Sequence, residues 1–321
     1  MNDFLNNKLL PFFRLIRWAN LMVILITMYL LRHAVLIPIY SNVGYVPAID
    51  NLTFALLVVS VILIAAAGYI INDYFDIRID RLNKPEKVLL GRFFHRRKAI
   101  LFHSVFNVLA TLSGFYVAWK CGSLRLGLIF PMSAMLLWLY SVRYKRVVLW
   151  GNLAVALLSA LVIGMVWLFE FLALRSQPET FVALQGSMAL ITKLFAAYAL
   201  FAFMVSLIRE VVKDAEDMQG DAQAGCLTFS VVHGTAAARM LALYLSIVTL
   251  FLLGAAVWWL FNSVFIAVAV YLIVTVALPL TFLLFRIHAA YSKSDFGQLS
   301  FLLKLLMLAG IFSMLPLAFL L

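Results

Sequence analysis

Two clusters of aspartates with the same spacing are the residues of this chain best suited to chemistry. Each cluster has three members, at steps of three and then four residues, in a chain with only 14 acidic residues. The six positions are Asp73, Asp76, Asp80, Asp214, Asp217 and Asp221. Residues at i, i+3 and i+7 lie on one face of a helix. The spacing therefore predicts two helical stripes of carboxylates.

If the two stripes face each other, they predict a cavity that binds a divalent cation. Grouped carboxylates repel one another and need positive charge nearby. Oxygen ligands without His or Cys suit Mg²⁺, which commonly binds a few carboxylates together with substrate phosphates. A single acidic cluster would be typical of a solvated helix end, but two matched clusters favour a site. The basic residues beside the stripes that we expect to share the cavity are Arg78, Arg81, Lys84, Arg209 and Lys213.

The composition places these stripes in an integral membrane protein. The chain has 321 residues, of which 65% are hydrophobic and 12% charged, and its mean hydropathy is +1.05. A soluble domain is only about half apolar. The net charge of +11 then indicates basic loops at a membrane surface rather than nucleic-acid binding. No protein partner is implied, and membrane lipids are the expected surroundings.

Nine apolar runs are long enough to cross a bilayer, which takes about 20 residues per helix. They predict an all-α membrane bundle that forms a single domain over residues 1–321, with short links that make hairpins of the third and fourth spans and of the seventh and eighth. The predicted spans are 19–39, 51–72, 99–119, 124–142, 150–173, 188–212, 237–260, 264–285 and 299–320.

The basic residues indicate how these spans are oriented. With the N-terminus in the cytoplasm, 20 of the 25 Lys and Arg residues fall on the inner side. Cytoplasmic loops carry such an excess of positive charge. The second and sixth spans both run inward, so both acidic stripes are predicted at the cytoplasmic face and the C-terminus outside.

The stripes resemble the two aspartate motifs of the UbiA superfamily of intramembrane prenyltransferases. The first motif, N-D-x-x-D-x-x-x-D, matches Asn72 and the three aspartates that follow it, and the second, D-x-x-D-x-x-x-D, matches the cluster from Asp214 to Asp221. The resemblance implies a nine-helix bundle, Mg²⁺ held between the motifs, and an isoprenyl diphosphate bound through the metal. It also implies transfer of the isoprenyl group to a lipophilic acceptor.

Further residues match the family away from the aspartates. Arg17 and Asn20 resemble a first-helix pair near the acceptor, and Tyr140 and Lys145 resemble a Tyr…Lys pattern after the fourth span. An interfacial arginine or a membrane anchor would account for the same residues. The expected catalytic residues are Asp73, Asp76, Asp214, Asp217 and Lys145, and the expected substrate-binding residues are Asn72, Arg17, Asn20, Lys84, Tyr140, Arg209 and Lys213.

The predicted reaction breaks the allylic C–O bond of the donor and leaves a carbocation in a dry, aromatic-rich cavity. The stretch REVVKDAEDMQGD most resembles the branch of the family that prenylates a phosphoglycerol ether, with a C20 donor. The Pro-rich continuation usual after the first motif is replaced here by residues 87–91. Arg17, Lys145, Arg146 and Arg209 are candidates to hold the acceptor's phosphate. The alternatives are an aromatic quinone precursor as acceptor, an intramembrane terpene cyclase, and an ion-coupled transporter.

Overall fold

A computed structural model describes residues 9–83, 86 and 88–321 of the chain, and for residues 78, 82 and 83 it describes the backbone alone. Nine helices in this part of the chain are long and apolar enough to cross a membrane, which confirms the predicted number of spans. We label them α1 (Trp18–Ser41), α2 (Asn51–Asn83), α3 (Arg96–Lys120), α4 (Leu124–Arg146), α5 (Trp150–Leu174), α6 (Met188–Gln223), α7 (Phe229–Phe261), α8 (Ile266–His288) and α9 (Lys293–Ala318).

Helices α2 and α6 continue well beyond the apolar runs that predict them. The runs end at residues 72 and 212, whereas the helices end at Asn83 and Gln223. All six aspartates therefore lie on unbroken helix, as their spacing predicts. Helix α2 packs against α3 and α4, and α6 packs against α5, α7 and α9. The two helices also contact each other, which brings their acidic ends together. We call this the acidic end of the bundle.

Two bends in the backbone precede spans at the acidic end. Arg17 has φ 52° between a short helix, Leu10–Leu15, and α1, and Leu149 has φ 59° just before α5. Left-handed backbone is unfavourable for residues other than glycine and is found where function requires it. Both bends lie within a few residues of a basic side chain predicted to bind substrate, Arg17 itself and Lys145.

The opposite end of the bundle is closed by a buried ion cluster. Glu170 accepts hydrogen bonds from the backbone N–H groups of Ala48 and Ile49, at 2.5 and 3.3 Å. Arg32 donates to the Ile49 carbonyl at 2.7 Å and lies over the ring of Phe54. Both charged side chains are almost fully buried. They bind the polar backbone of the loop between α1 and α2, which lipid cannot hydrogen-bond.

Candidate active site

The six predicted aspartates line one cavity at the acidic end. The cavity has a volume of about 570 Å³ and lies between α2, α4 and α6. Other polar and charged side chains of its wall are Arg14, Arg17, Asn72, Glu86, Tyr140, Lys145, Glu210 and Lys213. The structure thus brings together all the predicted metal ligands and four of the seven predicted substrate-binding residues, Arg17, Asn72, Tyr140 and Lys213. We call this the acidic pocket.

Basic and amide side chains contact three of the aspartates directly. Lys145 forms an ion pair with Asp76 and also donates to Asn72 Oδ1 at 3.2 Å. Arg17 Nη2 lies 2.9 Å from Asp73 Oδ1. Across the cavity, Asp214 accepts a hydrogen bond of 2.8 Å from Asn152 on α5. The repulsion between the stripes is therefore partly relieved by cations from other helices.

Close packing holds Lys145 in place. Gly151 begins the first turn of α5 beside it, and a Cβ atom at this position would lie 2.8 Å from the Lys145 Cα atom. Any larger residue would have to push the Lys145 backbone aside. The backbone next to Asp76 is therefore set by a glycine that the motif pattern does not include.

The donor set of the acidic pocket fits a hard divalent cation bound in an open site. Among the described residues, no group of three or more His, Cys, Asp or Glu side chains is arranged to hold a metal ion by itself. Mg²⁺ does not need one, because it keeps several waters and takes its remaining ligands from one or two carboxylates and from substrate phosphates. Burial raises the pKa of Asp80 to about 6, and the charges of Asp76 and Asp73 add to the rise. A cation nearby would favour the ionised form.

A second cavity, of about 370 Å³, extends from the acidic pocket into the bundle. Its wall is mostly aliphatic and aromatic, with rings of Tyr69, Phe130, Tyr140, Tyr198 and Phe201. We call this the apolar pocket. It has the character of a site for a hydrocarbon chain, and its rings offer π-faces to a cation.

The two pockets meet at a small group of polar side chains that line both of them. This junction consists of Arg17, Asn72, Tyr140, Glu210 and Lys213. A molecule with a charged head and a hydrocarbon tail would fit with its head in the acidic pocket and its tail in the apolar one. The bond between head and tail would then lie at the junction.

Of the other three predicted substrate-binding residues, two line the apolar pocket and one lies outside the described residues. Arg209 lines the apolar pocket and pairs with Glu210 at 2.9 Å. Asn20 lines it too, and donates to the Tyr69 hydroxyl at 3.3 Å. Lys84 lies outside the described residues. Arg81 and Arg146 are exposed and line neither pocket, so the expectation that they share a substrate site is wrong.

Sequence reasoning missed three polar residues that the structure places at the site. Asn152 contacts Asp214, Tyr69 lies under the Arg17 guanidinium, and Lys304 donates to Asn20 Oδ1 at 2.9 Å. Of the three, only Lys304 could have been found from the sequence, because a lysine within an apolar span is costly and marks a functional position.

This fold and site define an integral membrane prenyltransferase. The UbiA prenyltransferase family matches residues 35–308, which is most of the chain. The protein therefore belongs to that family, as its aspartate motifs predict. It transfers isoprenyl groups within the membrane.

Two relatives with a known activity resemble this chain over most of its length. The chain is 32% identical over 227 residues to digeranylgeranylglyceryl phosphate synthase of Methanothermobacter thermautotrophicus, covering 68% of this chain and 72% of that protein. It is 27% identical over 259 residues to the synthase of Methanosphaera stadtmanae, covering 79% and 83%.

Solved structures share the fold over nearly the whole chain. A structure of digeranylgeranylglyceryl phosphate synthase has a TM-score of 0.61 at 23% identity and covers 96% of this chain and 98% of its own. A UbiA homologue from Archaeoglobus fulgidus, bound to DMAPP and Mg²⁺, has a TM-score of 0.56 at 17% identity and covers 94% and 98%. At these sequence identities, the similarity to the solved structures shows the fold alone.

Proposed function

We propose that this protein transfers a geranylgeranyl group from its diphosphate to the hydroxyl of geranylgeranylglycerol phosphate, with Mg²⁺ as cofactor. The observation that carries the proposal is the junction, where a pocket for a metal and diphosphate opens into a pocket for hydrocarbon. The identity to digeranylgeranylglyceryl phosphate synthases supports this acceptor, and the DMAPP and Mg²⁺ bound by the A. fulgidus homologue support the donor class.

In this proposal carboxylates from the two aspartate stripes would hold the metal at the head of the donor. Bound Mg²⁺ would neutralise the diphosphate and make it a better leaving group. Lys145, Lys213 and Arg17 line the same pocket and add positive charge where the leaving group gains negative charge. The allylic C–O bond breaks, and its electron pair leaves with the diphosphate. Asn72 holds Lys145 toward this position.

The carbocation then forms at the junction, where water is excluded by the hydrocarbon of both substrates. The Tyr140 and Tyr69 rings line this part of the apolar pocket and stabilise a cation through their π-faces. The acceptor hydroxyl attacks with an oxygen lone pair, and the new C–O bond forms. Its proton passes to Glu210, the one carboxylate among the described residues that lines both pockets.

An assay of acceptors tests the proposed function. We expect the purified protein, given geranylgeranyl diphosphate and Mg²⁺, to prenylate geranylgeranylglycerol phosphate and release one diphosphate for each ether formed. Product mass spectrometry measures the transfer. Transfer to 4-hydroxybenzoate or dihydroxynaphthoate and none to the glycerol phosphate would overturn the proposed acceptor. Diphosphate release with a cyclised hydrocarbon and no acceptor would indicate a terpene cyclase.

We propose further that the acidic end of the bundle faces the cytoplasm, with the N-terminus on the same side and the C-terminus outside. The basic residues support this orientation, since the predicted spans assign 20 of the 25 Lys and Arg residues to that side. The diphosphate group of the donor would then face the cytoplasm, and the released diphosphate would leave to that side.

Labelling of single cysteines tests the orientation. In a background with Cys121 and Cys226 replaced, we expect Glu86→Cys and Gln223→Cys to react only with reagent on the cytoplasmic side. We expect Gln177→Cys, which is exposed at the opposite end, to react only from outside. A permeabilised sample, in which all three should react, is the control. Labelling of Gln223→Cys from outside would mean that the bundle is inverted.

A further inference from the structure

Two basic side chains of the apolar pocket lie apart from the acidic pocket. Arg209 on α6 and Lys304 on α9 line the apolar pocket and do not line the acidic one. Both are cationic and share one pocket, and the helices that carry them, α6 and α9, pack against each other. Two cations beside a hydrocarbon site are unfavourable unless an anion joins them.

Two other basic residues of the site form ion pairs with aspartates, whereas the positive charges of Arg209 and Lys304 are only partly balanced. Arg17 and Lys145 pair with aspartates. Lys304 makes no ion pair with a described carboxylate, and its hydrogen bond goes to the neutral side chain of Asn20. Arg209 pairs with Glu210 through Nη1, but its buried Nε makes no hydrogen bond in the described part of the protein. One net positive charge and one N–H donor therefore remain to be satisfied.

We propose that Arg209 and Lys304, together with Asn20 of α1, bind the phosphate monoester of the acceptor. The proposal rests on the proposed function and deepens it by assigning a separate anion site to the second substrate. A guanidinium and an ammonium are the groups that bind phosphate most strongly, the first by its directed N–H donors and the second as a point charge. A hydrocarbon-lined pocket with one phosphate site suits a lipid phosphate.

The position of this phosphate site explains how two phosphorylated substrates avoid competing. Arg209 and Asp214 are five residues apart on one helix, which is about 7.5 Å along its axis at 1.5 Å per residue. The metal would hold the donor's diphosphate at the aspartates, and the acceptor's phosphate would lie deeper in the bundle. Glu210, next to Arg209 in the chain, then lies beside the acceptor's hydroxyl at the junction.

The test compares a phosphorylated acceptor with its neutral counterpart in one variant. In Lys304→Gln we expect the KM for geranylgeranylglycerol phosphate to rise about 10-fold or more, the cost of a lost charge-assisted hydrogen bond. The KM for geranylgeranyl diphosphate should stay within about twofold, and turnover of dephosphorylated geranylgeranylglycerol should not change. Lys304→Arg should restore most of the affinity.

Lys293→Gln is the matched control, because Lys293 is exposed at the start of the same helix and lines neither pocket. An equal loss with both acceptors in Lys304→Gln, or an unchanged KM for the phosphorylated one, would overturn the inference. Lys304→Met gives the same comparison if the Gln variant does not fold. The wild-type protein is assayed before any variant is made. If it transferred the isoprenyl group only to aromatic acids, that result would overturn the proposed function rather than the phosphate site.

Discussion

Asp76→Asn is expected to reduce prenyl transfer by about 10³-fold, the scale of losing a group that stabilises charge in the transition state. The substitution keeps the shape of the side chain and removes its negative charge. In the acidic pocket that charge would hold the cation and orients Lys145. Asp73→Asn, Asp214→Asn and Asp217→Asn should have effects of similar size. Each is measured as initial rate of ether formation across a Mg²⁺ titration.

Glu179→Gln is the control for these variants, since Glu179 is an exposed acid at the opposite end of the bundle. It should match the wild type in rate and in Mg²⁺ dependence. Asp80→Asn and Asp221→Asn should reduce the rate of prenyl transfer less, because each aspartate lies a further turn along its stripe. Near-normal turnover at saturating Mg²⁺ in any two of the four main variants would contradict a site built from both stripes.

Lys145→Gln is expected to lower kcat by about 100-fold, with a smaller change in the KM for the donor. The ammonium group lies between Asp76 and Asn72, where it can contact the leaving diphosphate as the C–O bond breaks. A charge that acts mainly on the leaving group stabilises the transition state more than the bound substrate. Rates with saturating donor and acceptor measure this difference.

Arg146, the next residue in the chain, provides a matched control for Lys145. Arg146→Gln removes a positive charge one position away, but Arg146 is exposed and lines neither pocket. It should leave kcat within about twofold of the wild type, as is usual for surface substitutions. If both variants lost activity equally, the general positive charge of the segment would be responsible, and the role assigned to Lys145 would be wrong.

The periodicity of the aspartates and the apolar runs predicted most of the fold, but not the lengths of α2 and α6. Hydropathy reports where lipid contact ends, whereas the helices go on for about three more turns at 3.6 residues each. The spacing of three and four residues between the aspartates indicated these helix extensions, because a helix places residues so spaced on one face. The site's carboxylates were predictable because their chemistry and their spacing pointed the same way.

The basic residues of the site were harder to predict because their roles depend on tertiary packing. Lys145 and Arg146 are neighbours in the sequence, yet one contacts Asp76 and the other is exposed. Lys304 is 284 positions from Asn20, the residue it bonds. A positively charged residue near a span end also serves as a membrane anchor. Composition and periodicity do not separate that use from substrate binding, so contacts between helices had to decide it.

The junction between the two pockets has a consequence for how turnover ends. Each cycle makes one product that dissolves in water and another that dissolves only in lipid. In the proposed reaction, diphosphate would form in the pocket with the charged wall, and the two-chain ether would form in the pocket with the hydrocarbon wall. Each product would then lie in the pocket whose wall suits it, and neither would have to pass the other to leave. The fluidity of the bilayer would then affect the release rate of the ether, and the ionic strength would affect the release rate of diphosphate.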